Sequence, residues 1–150
     1  IPAIDWLGSP KFALMSLIII NVWKSVGYNA LILVSALQGI PPHLYEAARL
    51  DRANTWRTFS RITFPMISPT VFFLALVDVI AAFKVFETIQ IITQGGPQNS
   101  TNTLVFSLYE YGFQFYKVGY AAAIGVVLFF IVLLFTILYF AVLSKRVHYQ

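Results

Sequence analysis

The sequence predicts an all-α protein, a polytopic transmembrane helical bundle. Three observations carry that prediction. The chain is 59% hydrophobic and 11% charged, against roughly 45–50% and about 25% for an ordinary soluble domain. Three runs are long and apolar enough to cross a hydrocarbon core, which takes about 20 residues. In lipid each run must be a helix, because only a helix satisfies its own backbone polar groups within one segment.

The elements follow in order. The chain opens on Ile1 rather than Met, without a signal-peptide pattern. The expectation is the C-terminal part of a longer membrane subunit. Asp5 to Pro10 reads as a loop into the first span, about 12–37, whose one charge is Lys24. Gly39-Ile40-Pro41-Pro42 ends that span. Pro42 then opens a short helix with Leu44, Ala47 and Ala48 on one small apolar face. A second short helix is expected from about Asn54 to Thr63. It sets Trp56, Phe59 and Ile62 on one side and Arg57 and Arg61 on another. Pro65 either ends this helix or kinks it into the next. Ser68 and Pro69 read as N-cap and first helical position of the second span, about 69–92. Gln94-Gly95-Gly96-Pro97 closes that span as a turn. Residues 101–116 form a short helix rich in aromatics. Its Tyr109, Tyr111, Phe113, Phe115 and Tyr116 suit either a membrane-interface belt or packing under a covered surface loop. The third span, about 118–143, has no charge, and its Ala121 and Gly125 permit close helix approach.

Orientation follows from Lys and Arg. Residues 38–68 carry Arg49, Arg52, Arg57 and Arg61, and the tail 144–150 carries Lys145 and Arg146. The loop 93–117 carries only Lys117. The positive-inside rule puts 38–68 and the C-terminal tail in the cytoplasm and 93–117 outside. The two spans between them agree in parity. Other function classes drop out. The chain has no cysteine, and its net charge of +4 is too small and scattered to argue for nucleic acid. The two histidines, His43 and His148, lie far apart in loops. No metal site, no paired nucleophile and base, and no Gly-x-x-x-x-Gly-Lys-Ser/Thr phosphate loop is visible.

Charges inside the second span stand out. Counting about 1.5 Å per residue from Pro69, Asp78 lies about 14 Å along it, near mid-bilayer. Lys84 and Glu87 lie about 22 and 27 Å along, toward the outer side, three apart and able to pair. Intramembrane charges usually face a bundle interior or a wet cavity. Asp78, Lys84, Glu87 and Lys24 are therefore candidates for a translocation cavity; the plainer alternatives are structural ion pairs, or Lys84 snorkelling outward. Asn21, Trp23 and Tyr28 have the hydrogen-bonding and stacking chemistry a sugar ring needs, or pack between helices.

The segment 46–65 is the compact charged interruption. On periodicity alone it is either an amphipathic pair lying on anionic headgroups or a docking surface whose alanines allow close approach. Glu46-Ala47-Ala48-Arg49-Leu50-Asp51-Arg52-Ala53, followed by Phe59, Ile62 and Pro65, resembles the EAA motif of permease subunits in binding-protein-dependent ABC importers. Asn21 to Asn29, Thr93 to Pro97 and Gly119 to Ala123 are similar to the carbohydrate-uptake branch, the maltose- and glycerol-3-phosphate-type permeases. The resemblance covers nearly all of the chain. It implies one ABC transporter transmembrane domain of maltose-permease-like fold, in a bacterial or archaeal inner membrane. It implies that 46–65 is a coupling helix in a cleft of a cytoplasmic ATPase, with Glu46, Ala47, Ala48, Asp51, Arg52 and Ala53 at the contact. The implied partners are a dimer of ATPase subunits, a second permease subunit, an extracytoplasmic solute-binding protein and membrane lipid. ATP and Mg would be held by the ATPase and no cofactor by this chain. The implied cargo is a sugar, oligosaccharide or polyol phosphate; the implied role is transport, not enzymatic. One position departs from the family pattern: Arg52 stands where glycine is usual, in a turn of positive φ. The rival readings are a secondary transporter driven by protons through Asp78 and Glu87, an intramembrane enzyme, and a membrane scaffold.

Overall fold

A computed structural model describes residues 5–143, and among these all regular structure is helical. Three helices are long and apolar enough to cross a membrane: Pro10–Gln38, Thr55–Phe83 and Val118–Ala141. The expected cytoplasmic tail, 144–150, with His148, lies outside the described residues.

Helix α1, Pro10–Gln38, starts on a proline whose missing N–H costs nothing in a first turn. Ser16 Oγ sits 2.9 Å from both the Trp6 and Phe12 carbonyl oxygens and ties the preceding turn to the helix. Its 29 residues span about 43 Å, more than a hydrocarbon core needs. The chain then turns at Gly39 to Pro41 into α2, Pro42–Leu50, which carries His43.

The end of α2 answers the question raised by Arg52. Its φ is +52°. The Ala53 N–H donates to the Ala48 carbonyl at 3.0 Å, and the Arg52 N–H to the Arg49 carbonyl at 3.0 Å. These are the two bonds of a Schellman cap, with Arg52 in the left-handed position that glycine usually fills. The turn forms as it would with glycine, at a cost of about 1–2 kcal/mol for the side chain.

The second expected short helix is not separate. Helix α3 runs from Thr55 to Phe83 without interruption. Asn54 caps it, Oδ1 accepting the Arg57 N–H at 2.8 Å. A wider π turn occupies Phe59–Thr63, where the Phe64 N–H reaches back to the Phe59 carbonyl. Pro65 does not end the helix, and Pro69 lies inside it rather than opening it. Pro69 cannot donate to the Pro65 carbonyl four residues back. Ser68 Oγ donates to that carbonyl instead, at 2.8 Å. The pair expected to start a span is a repaired proline within one.

The far boundary differs too. The helix stops at Phe83, not at 92. Lys84 to Phe86 are non-helical, and α4, Glu87–Ile92, follows as a separate short helix. The freed Val85 carbonyl accepts from Thr103 Oγ1 at 3.3 Å. The Phe86 ring lies 5.0 Å from Tyr109 and 6.3 Å from Phe106. Lys84 and Glu87 therefore sit on opposite sides of a break and do not pair as one helix face.

A turn held by Thr93 and Thr101, whose hydroxyls are 2.8 Å apart, leads to α5, Leu104–Tyr109, which continues as a π turn over Glu110–Gln114. Gly95 has φ +82°, and a Cβ there would lie 2.8 Å from the Phe106 ring. The aromatics of this segment divide between the two expected roles. Tyr109 packs inward, whereas Phe113, Phe115 and Tyr116 are exposed. Helix α6, Val118–Leu143, packs on α5 where small residues meet. A Cβ on Gly112 would lie 3.3 Å from that of Ala121, and one on Gly125 would lie 3.4 Å from Leu108. It also packs on α3, where the Tyr139 hydroxyl donates to the Phe72 carbonyl at 2.7 Å. Leu17, Ile89 and Phe106 form the buried core, with Val85 and Phe86 against it. The core thus sits at the helix break, and much of α1 and α6 is left apolar and uncovered, as suits lipid or further helices.

Arg52→Gly is expected to raise stability over Arg52→Ala by about 1 kcal/mol, since only glycine escapes the left-handed penalty. Thermal unfolding of the full-length subunit in detergent compares them. Equal midpoints would mean that the turn is not left-handed.

Candidate functional site

The break after α3 opens a groove. Helix α1, the end of α3 and α4 enclose about 950 Å³, lined among others by Asn21, Lys24, Tyr28, Asp78, Lys84 and Glu87. All six candidate cavity residues meet there, from segments up to 66 positions apart.

Three polar bridges cross the groove. Lys24 Nζ lies 3.4 Å from Glu87 Oε2. Asn29 Nδ2 donates to Asp78 Oδ2, within a half-buried environment. Asn21 is held on both sides: Nδ2 donates to the Leu17 carbonyl at 2.8 Å, and Oδ1 accepts from Thr88 Oγ1 at 3.3 Å. These partners place the groove charges along α1. Asn29 lies nine residues before the Gln38 end of α1, so Asp78 is level with a point roughly 14 Å from that end. Lys24 lies fourteen residues before it, roughly 21 Å, so Glu87 reaches the middle of α1. Lys84 has no ion-pair partner among the described residues. Tyr28 is exposed to the groove, and Trp23 is 83% exposed and does not line it.

The charged loop lies at the other end of α3. On α2, His43, Glu46, Ala47 and Leu50 are exposed along one helix face, Leu50 at 86%. Ala48 is buried, and Leu44 and Tyr45 are half-buried. The small apolar face expected from Leu44, Ala47 and Ala48 is therefore split. Ala48 turns into the chain, and Ala47 turns out. Asp51 and Arg52 are exposed in the turn, and Ala53 is half-buried after it. Tyr45 Oη and Thr63 Oγ1, 3.1 Å apart, lock α2 against α3. The turn and this bond join the loop to the helix whose upper end carries Asp78.

Sequence reasoning passed over Asn29, Thr88 and Leu50. A polar amide within an apolar run was the available signal for Asn29, since it must find a partner in lipid. Thr88 and Leu50 carry no such signal, because their roles depend on which face folding exposes.

A sequence family described as "Binding-protein-dependent transport system inner membrane component" matches residues 1–149. The chain is 41% identical over 146 residues to the sn-glycerol-3-phosphate transport system permease protein UgpA of Rhizobium meliloti (strain 1021), covering 97% of this chain and 50% of that protein. It is 36% identical over 142 residues to a probable ABC transporter permease protein of Brucella suis biovar 1, covering 95% and 49%. Among solved structures, a bacterial alginate ABC transporter in complex with alginate pentasaccharide-bound periplasmic protein superposes with a TM-score of 0.85. That match has 26% identity over 97% of this chain and 51% of the other. The chain spans about half the length of the relatives it matches.

Of the Lys24–Glu87 and Asn29–Asp78 bridges, the first is the weaker. Its side chains are 70% and 79% exposed, so the pair is expected to contribute at most about 1 kcal/mol. Asp78→Ala strands Asn29 and is expected to cost more, about 1–3 kcal/mol. A double-mutant cycle with Lys24→Met and Glu87→Gln, read by thermal unfolding of the full-length complex, measures the first. A coupling well above that bound would mean that the pair is shielded from water.

Proposed function

The chain belongs to the family of binding-protein-dependent transport system inner membrane components, and from that premise we propose that it forms part of the permease of an ATP-driven importer for sugars, oligosaccharides or polyol phosphates. The observation that carries the reading is the continuity of α3. One helix joins the charged loop, through the Arg52 turn and the Tyr45–Thr63 contact, to the groove at Asp78.

Each part follows from the residues. The exposed face of α2, with Glu46, Ala47 and Leu50, docks on an ATPase subunit. Alanine gives close approach, Glu46 a hydrogen-bonded pair, and Leu50 an apolar contact. ATP and Mg stay on the ATPase dimer. Closure of that dimer pushes α2, and α3 carries the push to the groove as a lever. A second permease subunit completes the pathway, and a solute-binding protein delivers cargo from outside. The loop and the C-terminal tail face the cytoplasm, as the arginines of 38–68 require. The relatives' printed names, a glycerol-3-phosphate permease and an alginate transporter bound to a periplasmic protein, support the carbohydrate class and the outside partner. The groove offers amide, phenol, carboxylate and ammonium groups within one wall, the mixed polar chemistry such solutes need.

Glu46→Lys is expected to leave the subunit in the membrane while lowering solute uptake at least about tenfold, the worth of one lost charged contact. Uptake in cells with matched subunit levels, together with solute-stimulated ATP hydrolysis of the purified complex, reads the effect. Wild-type uptake in that variant would sink the coupling role. Uptake that collapses with the proton gradient and needs no ATPase would favour the secondary-transporter reading instead.

A further inference from the structure

We propose that the cytoplasmic end of α3 is a binding site for an anionic phospholipid headgroup, with Arg57 and Arg61 on the phosphate and Trp56, Phe59 and Phe64 along the acyl boundary. The aromatic rings form a ladder. Trp56 stacks on Phe59 at 5.9 Å and 29°, and Phe59 meets Phe64 at 6.2 Å. The π turn makes this possible. Five residues of regular α-helix turn through about 500°, which would leave Phe59 and Phe64 roughly 140° apart. The wider turn over Phe59–Thr63 brings them to one side.

All three rings are exposed, Trp56 at 73%. Arg57 and Arg61 are exposed as well, and the one ion pair among the described residues is Lys24–Glu87, so neither is neutralised among those residues. They are four apart and share a helix side. Arg61 is the last charge before an uncharged stretch, 62–77, that forms most of the span. Arg57 lies about 6 Å further toward water. A headgroup layer is about 5–7 Å deep on each side of a bilayer, so the two guanidinium groups fall within it. Arginine forks match phosphate oxygens bidentately, and Trp beside them suits the boundary with the acyl chains.

Lipid fits this face better than the ATPase does. The ladder is continuous with the exposed apolar side chains of the span, Met66 and Phe73. The α2 face carrying Glu46 has no aromatic ladder. The inference rests on membrane placement of α3 alone and is independent of the coupling role.

The test uses the full-length transporter complex in mixed micelles of detergent with phosphatidylcholine and phosphatidylglycerol. Lipid retained after detergent exchange is quantified, and the subunits present are counted by native mass spectrometry. Wild type is expected to retain phosphatidylglycerol preferentially. R57Q/R61Q should lower that enrichment on the order of tenfold with ATPase subunits still bound, and R57K/R61K, which keeps the charges but loses the bidentate forks, should fall between the two. Unchanged enrichment in R57Q/R61Q overturns the proposal. If the ATPase subunits dissociate while enrichment is unchanged, the surface belongs to the ATPase.

Discussion

No water reaches the backbone of a helix in lipid, so every carbonyl freed there needs a donor from within the protein. Two features of this chain depend on that rule. Pro69 frees the Pro65 carbonyl, and Ser68 takes it. The break at Lys84 frees the Val85 carbonyl, and Thr103 takes it from a distant loop. Side-chain donors obey it as well: the Tyr139 hydroxyl donates to the Phe72 carbonyl across the α3–α6 contact. Where a side-chain hydroxyl is available within reach, irregular backbone is tolerated at depth.

The same rule produces both halves of the site. The repaired proline lets α3 run unbroken from the Asn54 cap to Phe83, and continuity is what a lever requires. The satisfied break lets α4 turn away from α3, and that divergence opens the groove to which Asp78, Lys84 and Glu87 contribute. A proline at 69 without Ser68, or a break at 84 without Thr103, would leave a bare carbonyl costing about 1–3 kcal/mol. The polar contacts inside the span are therefore structural supports as well as candidate solute contacts. Asn21 shows this most directly, since both ends of its amide are already engaged by Leu17 and Thr88.

Much of the fold was legible in the sequence because lipid imposes it. Apolar runs of sufficient length must be helices, and charges within them must converge. That is why Lys24, Asp78, Lys84 and Glu87 could be singled out before their partners were known. The boundaries of the second span were not legible. Ser68-Pro69 carries the same letters whether it caps a helix or repairs one. Lys84-Val85-Phe86 holds no glycine or proline; its break is set by Phe86 packing on Phe106 and Tyr109 and by Thr103, contacts made across the chain. The pairing of Lys24 with Glu87, rather than Lys84 with Glu87, follows from that break. At the loop, the resemblance pointed to a left-handed turn. Only the backbone shows that Arg52 adopts it, and only folding decides that Ala47 faces out while Ala48 faces in.

In the proposed mechanism α2 and α3 move as one body between the charged loop and the groove. The most direct measurement is the distance between spin labels at Leu50 on α2 and Ala82 near the end of α3, both exposed, in the reconstituted full-length complex with and without ATP. Access of a thiol reagent from the outside to an Ala82→Cys variant reports the state of the pathway in parallel. A rigid lever predicts an unchanged distance while access changes. A shift of one helical turn or more, about 5 Å, on ATP binding would contradict it.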